Sequence, residues 1–149
     1  MSAADVPTAT GGCLCGAVRY AIHGPLRDVV VCHCVECRRW HGGPCSATGV
    51  RDVHLRLTEE RGLRWAPSPR SDAHARRGFC GTCGSSLFWK APGLATTSIA
   101  AGSLDEPTRL RTIGHIYCDE AGDFYALPDD GLPRFARGAD TSSVTRIPD

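Results

Sequence analysis

The chain has 149 residues, nine of them cysteine, and its 17 Lys and Arg against 16 Asp and Glu leave a formal charge of +1. That length suits a single domain able to bury a core of its own and gives no ground for a second. Balanced charge without a basic stripe offers no support for a nucleic-acid partner, and no apolar run approaches the 18 residues of a membrane-spanning helix.

The first stretch, MSAADVPTATGG, has neither a basic start nor an apolar segment of secretory length. The expectation is therefore a soluble, cytoplasmic protein whose thiols stay reduced. Residues 1–10 read as a flexible N-terminal tail, 11–138 as the folded domain and 139–149 as a flexible C-terminal tail.

Alternation predicts a half-buried strand over Ala17 to Ile22, with Val18, Tyr20 and Ile22 on one side. Another is expected over Val53 to Leu57, with Val53, Leu55 and Leu57 inward. Further strands are predicted at Val29 to Cys32, Ser46 to Val50, Leu63 to Ala66, Ala73 to Phe79, Ser86 to Lys90, Thr96 to Ala101, Ile113 to Tyr117 and Phe124 to Leu127. Only Val35 to Trp40 reads as helix. Seventeen glycines and ten prolines break these runs at short intervals, which suits a mainly β domain, a sandwich or a curved sheet.

Seven of the cysteines fall into three short groups. Cys13 and Cys15 lie in GGCLCG, between glycines that let the backbone bend around an ion. Cys80 and Cys83 form the Cys-x-x-Cys of FCGTCGSS, the shape of half a zinc ribbon. Two such halves supply the four sulfurs of a closed site. The middle group, CHCVEC, puts Cys32, Cys34 and Cys37 within six residues, and three protein ligands are what a zinc site with an open position presents. A four-plus-three division is the simplest assignment. Spacing alone leaves a second pairing open, with Cys13 and Cys15 sharing a metal with the middle group. It also leaves open a closed second site completed by His33, His41, Cys45, His115 or Cys118. Cys45 and Cys118 by themselves read as packed thiols.

At these residues the sequence resembles the glutathione-dependent formaldehyde-activating enzyme family, which includes centromere protein V. The resemblance runs through GGCLCGAVRY (11–20), CHCVECRRWHGG (32–43), FCGTCGSSLFW (79–89), AGSLDEP (101–107), GHIYC (114–118) and DDGLPRF (129–135). It implies a mainly β, small single-domain zinc-binding fold of the β-tent type with little helix. It further implies a structural zinc on Cys13, Cys15, Cys80 and Cys83 and a functional, catalytic zinc on Cys32, Cys34 and Cys37. The implied activity is that of a carbon–sulfur lyase, forming or cleaving S-hydroxymethylglutathione from formaldehyde and glutathione. The alternative is a non-enzymatic binding module in which both zinc ions are structural.

Three thiolates leave Zn²⁺ with a formal charge of minus one and make it a weak activator of water. Such a soft site is better matched to a small thiol such as glutathione, whose pKa is about 8.5 when free. Donors to an oxyanion are expected among His33, Arg38, Arg39 and His41, with Glu36 as a proton acceptor or a solvated turn residue. Ser103 and Asp105 read first as turn chemistry, and Trp40, Phe88 and Trp89 as core or pocket wall.

Overall fold

The computed structural model describes residues 2, 5–138 and 140–149. Among these residues ten strands form two sheets with two short α-helices, a mainly β domain as expected. A small sheet holds β1 (Ala9–Gly12), β2 (Arg19–Ile22) and β5 (Leu55–Glu59) in the order β1-β2-β5. The large sheet holds β3 (Val29–Cys32), β4 (Cys45–Arg51), β6 (Leu63–Pro67), β7 (Arg76–Cys80), β8 (Ser86–Lys90), β9 (Thr96–Ala100) and β10 (Thr112–Ile116). Its order is β10-β3-β4-β9-β8-β7-β6, antiparallel except for the parallel β10–β3 pair.

The core lies where the sheets face each other. Val18, Tyr20 and Ile22 are buried around β2, and meet Val50, Leu87, Phe88 and Ile99 of the large sheet. Tyr20 packs edge-on against Phe88 at 5.4 Å between ring centroids. Each fully buried side chain of this size stabilises the fold by about 1.5–3 kcal/mol. The Tyr20 hydroxyl shares a 2.7 Å hydrogen bond with Ser103 Oγ, and Ser103 Oγ donates to the Ala100 carbonyl. Asp105 accepts from Arg19 and from Thr10. Both GSLDEP residues thus join the small sheet to the segment after β9, a structural task.

Helix α1 (Val35–His41) is seven residues long and capped at both ends. Cys34 Sγ accepts from the Cys37 N–H at 3.3 Å, and Gly42, at φ 81, returns its N–H to the Arg38 carbonyl. Glu36 in its first turn and Arg38, Arg39 and His41 in its last complement the helix dipole.

Four local expectations differ from the structure. Val53 belongs to a 3-10 turn (Asp52–His54) and is 74% exposed, because the chain must turn there to pass from the large sheet to the small one. The strand expected from Ala73 begins at Arg76, after the left-handed residue His74. Residues 124–127 form no strand. The outer edge of β10 is already taken, with His115 N–H donating to the Pro133 carbonyl and Phe135 N–H to the His115 carbonyl. Finally, β1 and the one-turn helix α2 (Ser142–Thr145) were not legible as elements and fall at the two ends read as tails. β1 pairs with β2 from Ala9 onward, and α2 buries Val144 to 6% exposure beside Gly114. Among the described residues no helix is long and apolar enough to cross a membrane.

Candidate metal centres

The seven clustered cysteines sit at or beside the connections between elements, with Cys32 and Cys80 ending strands and Cys37 in the first turn of α1. Cys13 and Cys15 occupy the hairpin turn from β1 to β2, and Cys80 and Cys83 the turn from β7 to β8. The two turns meet. The four Sγ atoms lie within 4.8 Å of one another, with Cys13–Cys15 at 3.7 Å and Cys15–Cys80 at 3.8 Å. Four sulfurs about 2.3 Å from one ion in a tetrahedron stand about 3.8 Å apart, so this donor set fits a zinc-sized metal.

Local hydrogen bonds hold the four in place. Cys13 Sγ accepts from the Val18 N–H at 3.2 Å, and Ser85 Oγ accepts from the Leu14 N–H at 3.0 Å while lying 3.2 Å from Cys83 Sγ. The hydrogen bond from Ser85 is the main reason the Cys83 thiol is lowered to about 5. Burial raises Cys13, but the Val18 N–H and its sulfur neighbours outweigh it, and its pKa falls below the ordinary value. Gly84, at φ 80, supplies the left-handed turn that lets its N–H reach the Cys80 carbonyl at 2.7 Å.

The second cluster is built where β3 runs into α1. Cys32 ends the strand, Cys34 caps the helix, and Cys37 lies one turn in, so strand and helix aim three sulfurs at one point. Those sulfurs lie within 4.8 Å of one another. Hydrogen bonds from Cys32 and Cys34 drive the Cys37 thiol far below its ordinary value, with Arg77 adding to the effect. Cys32 is pushed up by the same donation. For Cys34 the bond from Cys32 lowers the pKa, but its own donation to Cys37 and burial prevail, and it rises. A metal bound here would take all three sulfurs as thiolates.

The structure separates the neighbours named from the sequence. His33 points away from the sulfurs into a buried chain of hydrogen bonds. Its Nδ1 lies 2.8 Å from the Tyr125 hydroxyl, its Nε2 3.0 Å from His115 Nδ1, and His115 Nε2 2.8 Å from Asp130 Oδ2. A carboxylate only accepts, so His115 donates from Nε2 and accepts at Nδ1; His33 then donates from Nε2 and accepts the Tyr125 proton. Both nitrogens of His33 and of His115 are thereby occupied, and neither ring completes the triad. Glu36 is neither a free base nor a solvated turn residue. Its carboxylate accepts from the Arg70 N–H at 2.6 Å and the Ser68 hydroxyl at 2.8 Å. Burial lowers His41 below its ordinary value. Arg39 is exposed, and Arg38 Nε is buried with no hydrogen-bond partner. Cys118 stands apart, raised by burial.

Two further residues lie at the triad: Cys45, named from the sequence among the possible closing ligands and otherwise read as a packed thiol, and Arg77, which sequence reasoning missed. Cys45 pairs with Cys32 across β3 and β4, and its thiol hydrogen-bonds to Cys37, which raises its pKa. Arg77, only 6% exposed, donates from Nε to Ser68 Oγ at 3.0 Å, while its Nη2 lies 3.8 Å from both Cys37 Sγ and Glu36. It stands forty positions from Cys37, so nothing in local spacing marks it; only the packing of β7 against α1 does.

The glutathione-dependent formaldehyde-activating enzyme family model matches residues 8–120, which include every cysteine of both clusters. No curated protein matches the sequence. The crystal structure of a Rhodobacter sphaeroides protein aligns with a TM-score of 0.52 and 21% identity, over 84% of this chain and 98% of that one. At that identity the likeness concerns the fold. With two cysteine clusters able to hold metal ions and a family match over most of its length, the chain belongs to the glutathione-dependent formaldehyde-activating enzyme family.

Proposed function

We propose that this protein is a zinc-dependent carbon–sulfur lyase-type enzyme acting on a glutathione or small-thiol adduct, of the kind that forms and cleaves S-hydroxymethylglutathione. One observation carries the reading. The first cluster has four sulfurs, whereas the second has three, and among the described residues no fourth His, Cys, Asp or Glu atom joins it. Four sulfurs close a structural site, and three leave a coordination position free. Zinc on Cys32, Cys34 and Cys37 would supply a place where an incoming thiol is held as thiolate, the reactive form.

The chain's own groups have defined tasks in this reading. Cys32, Cys34 and Cys37 orient the site. Arg77 sets a positive charge beside Cys37 and offsets part of the excess negative charge of three thiolates. In the forming direction the substrate sulfur donates its pair to the formaldehyde carbon, a C–S bond forms as the C=O π bond breaks onto oxygen, and that oxygen takes up a proton equivalent to the one the thiol has lost. Arg38, next to Cys37 in the chain and with its buried Nε unpartnered, is the residue this reading assigns as donor to the developing oxyanion. The reverse direction breaks the C–S bond and returns the proton.

A closed four-thiol site is the second reading, favoured by Cys45 beside Cys37. Cobalt substitution separates the two. An open triad changes its visible spectrum when glutathione adds a sulfur, and the protein accelerates formaldehyde–glutathione exchange measured by exchange NMR. A spectrum indifferent to every small thiol, with no exchange enhancement, leaves only the structural module.

A further inference from the structure

A cleft of about 330 Å³ lies between α1 and the β6–β7 hairpin. This is the lower end of the size range for small-molecule sites. Its walls are partly apolar, with Trp40 of α1 facing Pro67 of β6. Trp40 is held rigidly, its Nε1 donating to Ser86 Oγ at 2.9 Å and its ring edge-on to Phe79.

The charged lining is unbalanced. Arg39, Arg70 and Arg77 line the cleft against a single carboxylate, Glu36. Both oxygens of Glu36 are already occupied by Ser68 and the Arg70 N–H. Three guanidinium groups against one carboxylate leave an excess of two positive charges in a chain whose total is only +1. Arg39 and Arg70 are exposed and form no ion pair among the described residues, so their donors are available to a ligand. Arg77 joins the cleft to the triad, since the same buried guanidinium lines the one and reaches Cys37 of the other.

We propose that this cleft is the subsite for the unreacting part of the substrate, and that it takes a carboxylate-bearing arm of peptide size whose amide portion lies against Trp40. This assignment rests on the reading of the triad as a thiol site. Arg39 and Arg70 pair with the carboxylates, guanidinium groups being suited to bidentate contact with them. Arg77 is a positioning residue, aligning the arm with the sulfur end.

The test titrates the cobalt-loaded protein with glutathione, with glutathione diethyl ester and with 2-mercaptoethanol, and compares it with the R39A/R70A double variant, whose two exposed side chains carry no core contacts. Binding of S-methylglutathione, which has no free thiol, is followed separately by the NMR shift of the Trp40 Nε1–H. The wild type should bind glutathione about tenfold more tightly than its ester, and R39A/R70A should bring that ratio close to one. S-methylglutathione should shift the Trp40 signal in wild type and fail to do so in R39A/R70A. Equal binding of glutathione and ester, or an undiminished preference in R39A/R70A, overturns the carboxylate subsite. A cobalt spectrum blind to all three thiols, with S-methylglutathione still shifting Trp40, removes the thiol reading of the triad and leaves the cleft as an anion-arm site.

Discussion

Cys15 and Cys80 stand 65 positions apart in the chain, yet their sulfurs lie 3.8 Å from each other. One is on a hairpin of the small sheet and the other on a hairpin of the large one, so a metal there fastens the two sheets at the edge of the core. A structural zinc contributes on the order of 10 kcal/mol, comparable with the whole stability of about 5 to 15 kcal/mol expected for a domain. Cys80→Ser is expected to lose the cooperative thermal transition and one zinc per chain. A melting curve and metal content like the wild type's would contradict it.

Gly62 packs directly under the same cluster. A Cβ there would come 2.9 Å from Cys80 Sγ and 2.8 Å from the Ala17 side chain, neither of which can retreat from its buried place. Gly62→Ala should cost about 1–3 kcal/mol in urea denaturation and weaken metal retention against a chelator, though no ligand has been altered.

The triad should respond differently. Cys34 has two tasks, offering a sulfur and accepting the Cys37 N–H as the cap of α1. Serine keeps the cap and alanine does not, a difference of about 1 kcal/mol. Both Cys34→Ser and Cys34→Ala should lose one zinc, but Cys34→Ala should also melt lower. Native mass spectrometry and circular dichroism read the two effects separately.

His115→Ala would remove the middle of the Tyr125–His33–His115–Asp130 chain and leave His33 Nε2 buried without an acceptor. An orphaned buried polar group costs about 1–3 kcal/mol. Chemical denaturation should show that loss, with zinc content per chain preserved, because neither histidine occupies the sulfur cluster.

Asp105 is held below the usual carboxylate range, first by the hydrogen bond from Arg19 and then by that from Thr10. Its folded pKa is the lower one, so the unfolded chain binds the proton first. The pair's contribution is present above the ordinary Asp pKa of about 3.9 and is lost as pH falls through the depressed folded value. The pair is exposed, and its worth is about 0–1 kcal/mol. Asp105→Asn should lower stability by that amount near neutrality and converge with the wild type in acid, as followed by urea titrations at successive pH values.

Much of the site was legible in the chain. Cys13–Cys15, Cys80–Cys83 and the Cys32–Cys34–Cys37 run are local clips whose spacing dictates turns, and turns form from neighbouring residues. Most strands were legible too, since Val18, Tyr20 and Ile22 alternate onto one buried face and the other runs are short apolar stretches bounded by turn residues. What the chain did not show is long-range. The strand β1 has no alternation of its own and exists because β2 offers it a partner; residues 124–127 have a strand-like composition but find the edge of β10 taken by residues 133–135.

The division between what is local and what is tertiary is sharpest at the triad. Ligand type and spacing are set by six consecutive residues, so the sequence by itself determined that three sulfurs converge after β3. Whether a fourth group joins them depends on which side chains other elements bring within a few ångströms. Only the fold decided that His33 turns to His115 and Tyr125, that Glu36 is spent on Ser68 and Arg70, and that Arg77 arrives from β7. Coulomb and hydrogen-bond energies fall off over those few ångströms, and separation along the chain says nothing about them.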